Sequence, residues 1–132
     1  MPMNRVISIV DDDSSVREST MDLLSSFGFI AVAFKRPDEF LRFNRLYSAC
    51  CLISDVQLPG MTGLELYEHL VGSGSTLPTI LITAFPDDKD RVRALGAGVI
   101  GYLTKPFNEE ELIACVWAAL DRRDTGSGSD AK

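Results

Sequence analysis

Three aspartates in a row, Asp11, Asp12 and Asp13, follow the β-branched run "RVISIV" near the start of the chain. Asp55 closes a second apolar stretch, "CCLISD". Thr83 and Ala84 close "TILITA", and Lys105, followed by Pro106, stands just past "VIGYLT". If those ends meet, one mouth holds at least three carboxylates, a hydroxyl and a single ammonium. Neighbouring carboxylates repel and raise one another's pKa unless a cation lies between them. Lys105 brings one positive charge, too little for three aspartates, and the surplus calls for a divalent metal. A few hard oxygen ligands, with room left for water and a phosphate, favour Mg2+ over a Ca2+ cage built wholly from protein. An ionised Asp55 beside such a metal can attack a phosphoryl group, with Lys105 and Thr83 holding the oxygens that gain charge. The product would be an aspartyl phosphate.

Whether the ends meet depends on the elements that carry them. The runs at 5–10, 29–34, 50–55, 79–84 and 99–104 are short, continuous and apolar, as strands covered on both faces are. Helical segments separate and follow them at 14–28, 37–47, 63–72, 87–98 and 108–123. Ser14 or Ser15 can cap the first, and Gly28 ends it. Pro37 suits a first turn, and Asn108 suits a cap ahead of three glutamates that favour the helix dipole. Five strands alternating with five helices make an α/β domain. We expect a five-stranded parallel sheet with helices on both faces, the (βα)5 doubly wound, flavodoxin-like arrangement. Right-handed crossovers put every strand's C-terminal end along one edge, and ligands bind there where the strand order switches. The domain is expected to occupy 1–123. The Gly/Ser-rich stretch 124–132, "DTGSGSDAK", reads as a flexible polar tail or the start of a linker.

The 132 residues suffice for one self-supporting core, and 45% hydrophobic with 24% charged residues is ordinary globular composition. A net charge of −6 argues against direct binding to nucleic acid or an anionic membrane. No run approaches the roughly 18 apolar residues of a membrane span, and the start lacks a signal-peptide pattern. Cys50, Cys51 and Cys115, an odd number, read as reduced apolar residues of a cytoplasmic protein.

In order along the chain, "IVDDD", "ISDVQLPGMTGLEL", "LITA" and "GYLTKPF" resemble the motifs of the receiver domains of two-component response regulators. The likeness covers residues 5 to about 120 and is nearest in flavour to the nitrogen-fixation and nodulation type. It implies that Asp55 accepts a phosphoryl group from a sensor histidine kinase and that Mg2+ is required. It further implies that a conformational switch regulates an output, transcription above all. Asp11 and Asp12 would form the acidic pair, Asp12 the more direct metal ligand, with the backbone carbonyl of Gln57 completing the protein's share. Thr83 would move to bond the phosphoryl group, and Tyr102 would swing inward with it. Ala84 leaves room for the group, Lys105 pairs with it, and the Lys105–Pro106 peptide is expected to be cis. Phe85 would shade the phosphate together with Gln57, and bulk there is expected to slow hydrolysis. Catalysis would be limited to self-phosphorylation and self-dephosphorylation.

Blander readings stand beside these. Asp13 reads as the residue that opens the helix, and His69, the one histidine, as a side-face residue with no relay role. A phosphatase with an aspartyl intermediate needs an acid two residues after the nucleophile, where Gln57 stands. A flavin site needs an anion cradle after the first strand, where three aspartates would repel the phosphate. A stand-alone or degenerate receiver working through protein–protein binding is the remaining alternative; no DNA-binding domain is expected within these residues, which fit a stand-alone receiver or a piece cut from a transcription regulator at its linker. One excess remains: "LIACVWAAL" (112–120) is apolar all round. A surface helix needs only an apolar stripe, so Trp117 and Leu120 are expected to face outward and support a homodimer through the last helix and strand.

Overall fold

The computed structural model describes the backbone of residues 5–130 and side chains as far as Asp121. Strands β1 (Val6–Val10), β2 (Ile30–Phe34) and β3 (Cys51–Asp55) are followed by two very short ones, β4 (Gln57–Leu58) and β5 (Met61–Thr62). Strands β6 (Thr79–Thr83) and β7 (Gly101–Thr104) complete the set. The helices are α1 (Ser14–Ser26), α2 (Pro37–Leu46), α3 (Gly63–Gly72), α4 (Asp88–Ala97) and α5 (Glu109–Asp130). The five longer strands form one parallel sheet in the order β2-β1-β3-β6-β7, so the winding reverses between β1 and β3. The doubly wound arrangement expected from the sequence is the one observed.

Side chains alternate across a strand, and here both sides are covered. Ile7, Ile9, Ile53, Ile80 and Ile82 pack against Leu24 of α1 and Leu112 and Val116 of α5. On the other side Val10 and Leu52 meet Phe40 of α2 with Leu66 and Leu70 of α3, while Leu81 meets Ala94 of α4. Each such fully buried Ile or Leu contributes roughly 1.5–3 kcal/mol, so the sheet is a rigid platform for whatever its edge carries.

Polar caps set where the helices begin. α1 is capped by Asp13, not by Ser14 or Ser15: its Oδ1 accepts from the N–H of Ser15 at 2.9 Å and of Val16 at 3.3 Å. Both serines already lie within the helix, whereas the extended backbone of Asp13 lets its carboxylate fold back on the exposed donors. Asn108 caps α5 as expected, its Oδ1 accepting from Glu110 N–H at 2.7 Å. Before α3, Thr62 Oγ1 accepts from Glu65 N–H and Glu65 Oε1 accepts from Thr62 N–H, a reciprocal capping box. The small antiparallel pair β4–β5 was not expected. Pro59 fixes one turn position and Gly60 takes φ +85°, the combination a type II turn needs between paired Leu58 and Met61.

Two expectations for the last helix change. Its backbone helix runs on to Asp130, into the stretch read as a polar tail from 124, of which residues 131 and 132 lie outside the described residues. Leu120 does not face outward: it is 3% exposed, four residues after buried Val116 and therefore on the same inward stripe. Trp117 does face outward at 46% exposure, but it leans on Phe29 with ring centres 5.1 Å apart, under the Arg5 guanidinium at 6.0 Å. Ala114 and Ala118 share its exposed side. Among the described residues no helix is long and apolar enough to cross a membrane, and all three cysteines are free.

Candidate functional site

The reversal between β1 and β3 brings two strand ends together, and a residue from each is acidic. Asp11, just past β1, is fully buried. Its N–H donates to the Phe34 carbonyl at 3.1 Å, and its Oδ1 accepts from Asp13 N–H at 2.9 Å. Asp55 ends β3, and its Oδ1 accepts from Gln57 N–H at 3.3 Å. From the far side comes Lys105, whose backbone N–H donates to the Thr83 carbonyl at 2.7 Å and whose bond to Pro106 is cis. Its Nζ donates to Asp55 Oδ2 at 3.3 Å and lies 2.9 Å from Asp11 Oδ2.

One ammonium thus serves two carboxylates, and the balance is uneven. Burial, then the negative charge of Asp11, holds the Asp55 carboxyl above the usual range despite the pull of Lys105 and the Gln57 N–H. Burial draws the Lys105 ammonium down, but the bonds and charges of Asp11 and then Asp55 outweigh it, and its pKa is raised. Asp11 Oδ2 is buried, and among the described residues only the Lys105 ammonium, itself shared with Asp55, stands against it. A buried carboxylate that must share its one cation with a second acid is costly. Together with Asp12 it makes a group in which one oxygen from each of Asp11, Asp12 and Asp55 lies within 4.8 Å of the others. That donor set is all oxygen, partly exposed through Asp12 and short of positive charge, and it fits a hard divalent cation.

The other residues named from the sequence fall around this centre. Asp12 is exposed, and no hydrogen bond or ion pair holds its carboxylate among the described residues. Gln57 is exposed on β4. Ile82 stands beside Asp55 in the β3–β6 register, which puts Thr83 one residue further toward the mouth. Thr83 is 1% exposed, and its Oγ1 accepts from Phe85 N–H at 3.0 Å. Ala84 and Pro106 are exposed, and the Phe85 ring is 70% exposed. Tyr102 pairs with Leu81 and is half-buried. Its hydroxyl is buried without a hydrogen-bond partner, and burial raises its pKa. It borders a cavity of about 160 Å³ between α3 and α4, with Val56, Leu64, Leu81 and Ala94. Asp13 is spent on the α1 cap, and His69 is exposed on α3.

Two neighbours of the site have roles that the sequence does not announce. Arg17, in α1, donates from Nη1 to the Asp11 carbonyl at 2.6 Å. Gly63, the first residue of α3, is pressed against the end of β3. A Cβ there would overlap the Asp55 carbonyl oxygen and come within 3.0 Å of Leu81 Cδ2. Its place inside the T-x-x-E capping box, directly after Thr62, is the available hint. Gly63→Ala is therefore expected to displace the strand end that carries Asp55. The expected loss is about 1–3 kcal/mol of stability, read from urea unfolding, with an unchanged midpoint counting against that contact.

The same fold is found in known proteins. The family model for the response regulator receiver domain matches residues 7–116. Response regulator protein TodT of Pseudomonas putida is 42% identical over 117 residues, covering 87% of this chain and 51% of its own. Nodulation protein W of Bradyrhizobium diazoefficiens is 37% identical, covering 89% and 52%. Among solved structures, full-length FixJ from B. japonicum superposes with a TM-score of 0.87 at 31% identity, over 98% of this chain and 64% of that one. The response regulator StyR gives 0.85 at 37% identity, over 98% and 67%. This chain spans about half the length of the curated relatives it matches. A match that begins on β1, takes in every strand of the main sheet and ends within α5 places the chain in the family of response regulator receiver domains of two-component systems.

Proposed function

We propose that this receiver accepts a phosphoryl group on Asp55 from a sensor histidine kinase and changes conformation to regulate an output, in keeping with relatives named as transcriptional regulators. The observation that supports this best is the convergence of three carboxylates within 4.8 Å, with one ammonium against two of them. Asp11, Asp12, Asp55 and the Gln57 carbonyl would hold Mg2+. When bound, the ion supplies neutralisation of the charge between the carboxylate and the incoming phosphoryl oxygens.

The residues then divide the work. Asp55 attacks phosphorus through a carboxylate oxygen, and the donor leaves with the electron pair of the bond that breaks. Lys105, kept cationic by its acidic neighbours, turns from Asp55 Oδ2 to the new phosphoryl oxygen. Thr83 Oγ1 accepts from Phe85 N–H and so keeps its own proton free to donate to the phosphoryl group. Small Ala84 leaves that approach open. Tyr102, at the rim of the cavity between α3 and α4, would move when Thr83 does. A group of charge about −2 bonded better in one arrangement than the other shifts the population toward it.

Activity beyond self-phosphorylation and self-dephosphorylation is not part of this reading. We place the receiver in residues 1–123, with α5 running on beyond it as the start of a linker, and the protein in the cytoplasm. This chain itself would contact neither nucleic acid nor membrane. Self-association would use β7 and the Ala114, Trp117 and Ala118 side of α5. The test is intact mass after exposure to acetyl phosphate. A gain of one phosphoryl group is expected with Mg2+, and chelation should slow it about 100-fold or more, the rate equivalent of a few kcal/mol. Equal modification with and without Mg2+ would remove the metal from the account.

A further inference from the structure

We propose that Arg17 is a positioning residue for the acidic site, setting where the Asp12 carboxylate stands and so how tightly Mg2+ is held. The carbonyl that accepts from Arg17 Nη1 at 2.6 Å belongs to the peptide group joining Asp11 to Asp12. Asp11 is otherwise fixed on both remaining sides, its N–H by Phe34 and its side chain by Asp13 N–H. The Asp12 side chain has no comparable support. It is exposed, and no hydrogen bond or ion pair holds it among the described residues. The Asp12 carboxylate is therefore carried by its backbone alone: the peptide that follows it is held through Asp13 N–H on Asp11 Oδ1, and the peptide plane that precedes it is the one Arg17 clamps.

The guanidinium is half-buried and, among the described residues, forms no ion pair with a carboxylate. It is committed to a backbone oxygen within a site rich in acids. Charge-assisted bonds to a carbonyl are short and directional, and a planar guanidinium holds its hydrogens in fixed directions. The two ways Arg17 could act have opposite signs. As a mere positive charge it repels a metal cation, and its removal would tighten binding. As a clamp on the Asp11–Asp12 peptide it orders a ligand, and its removal loosens binding. The short bond to the carbonyl favours the clamp.

The inference rests on reading the three acids as a Mg2+ site, and calorimetric titration with MgCl2 separates the two ideas. Wild-type chain that binds no Mg2+ defeats the site itself. If wild type binds, Arg17→Met is expected to weaken affinity about 10-fold, the usual scale for groups that orient metal ligands. Unchanged or tighter binding by that variant overturns the inference while leaving the site intact. Arg17→Lys, which keeps the charge but presents a single ammonium, is expected to weaken affinity about 3-fold and decides the matter should the Met variant not fold. Wild-type affinity in the Lys variant then overturns the proposal. A double-mutant cycle adds a readout that a purely structural role would not move. In an Asp12→Asn background, Arg17→Met should change affinity less than 2-fold, because the ligand it orders is already gone. A full 10-fold further loss there would show that Arg17 acts elsewhere.

Discussion

Exposed to acetyl phosphate and Mg2+, the Asp55→Asn chain is expected to keep its unmodified mass while the native chain gains one phosphoryl group. The amide oxygen of asparagine carries no full charge and is a poor nucleophile, whereas its shape and size are those of the acid it replaces. Asp11 is fully buried beneath the site and Asp12 is exposed beside it. A mass gain that persists in the variant would therefore point to Asp12 as the acceptor and sink the assignment of Asp55. The same variant carries a signature in the absence of metal. In the native fold the Asp55 pKa is raised, first by burial and then by Asp11. A carboxyl whose folded pKa exceeds its unfolded value favours the fold while protonated, and that contribution is lost as pH rises through the folded pKa. Asparagine does not ionise and escapes the loss. Metal-free Asp55→Asn should thus be the more stable form at neutral pH, by an amount on the order of 1 kcal/mol. The gap should close as pH falls toward the unfolded carboxylate range near about 4. A variant less stable than wild type at neutral pH would mean that Lys105 more than offsets the burial.

What could be read in advance follows from which interactions leave a periodic trace. Each main strand is a continuous apolar run stopped by a polar residue, and such a run is visible whatever it later pairs with. The sheet-end rule then turned four strand ends into one location, which is why Asp11, Asp55, Thr83 and Lys105 could be named together before any coordinates. Interactions with the backbone left no such trace. Arg17 looks like one more charge on a helix because its partner is a carbonyl, and every residue has one. Gly63 looks like a turn residue because the approach that forbids a side chain is made by the Asp55 carbonyl across space. β4 and β5 are too short to show alternation. Asp13 was legible as the opening of a helix, but its place ahead of two serines, themselves common caps, hid which side chain does the capping. Leu120 was misplaced for a different reason. A helix apolar all round offers no contrast by which to orient it, and the inward stripe became readable only once Val116 was known to face the sheet.

Lys105→Met should be the most destabilising single change among the charged residues of this site, and its cost should depend on pH. The Lys105 ammonium is the only cation in contact with the Asp11 and Asp55 carboxylates among the described residues, at 2.9 Å and 3.3 Å, with side chains 0% and 10% exposed. Methionine fills much of the space of the lysine stem but leaves two buried acids with no counter-charge. Removing one partner of a buried pair costs roughly 3 kcal/mol or more at neutral pH, which for a domain of this size corresponds to about 10 °C in Tm. With the ammonium gone, the already raised pKa of Asp55 loses the pull that lowers it and moves further up. The contribution of Asp55 is then present at low pH and lost as pH rises through its raised folded value, so the deficit should shrink between about pH 7 and pH 4 as it protonates. Bound Mg2+ restores positive charge to the same oxygens, so it should stabilise the variant more than the native chain. The native chain should itself gain about 2.7 kcal/mol at a hundred times its dissociation constant. Thermal melts across that pH range, with and without MgCl2, check both effects. A deficit that is the same at every pH and untouched by Mg2+ would mean that Lys105 matters through the packing of its apolar stem, and that the acids at this edge do not depend on it for neutralisation.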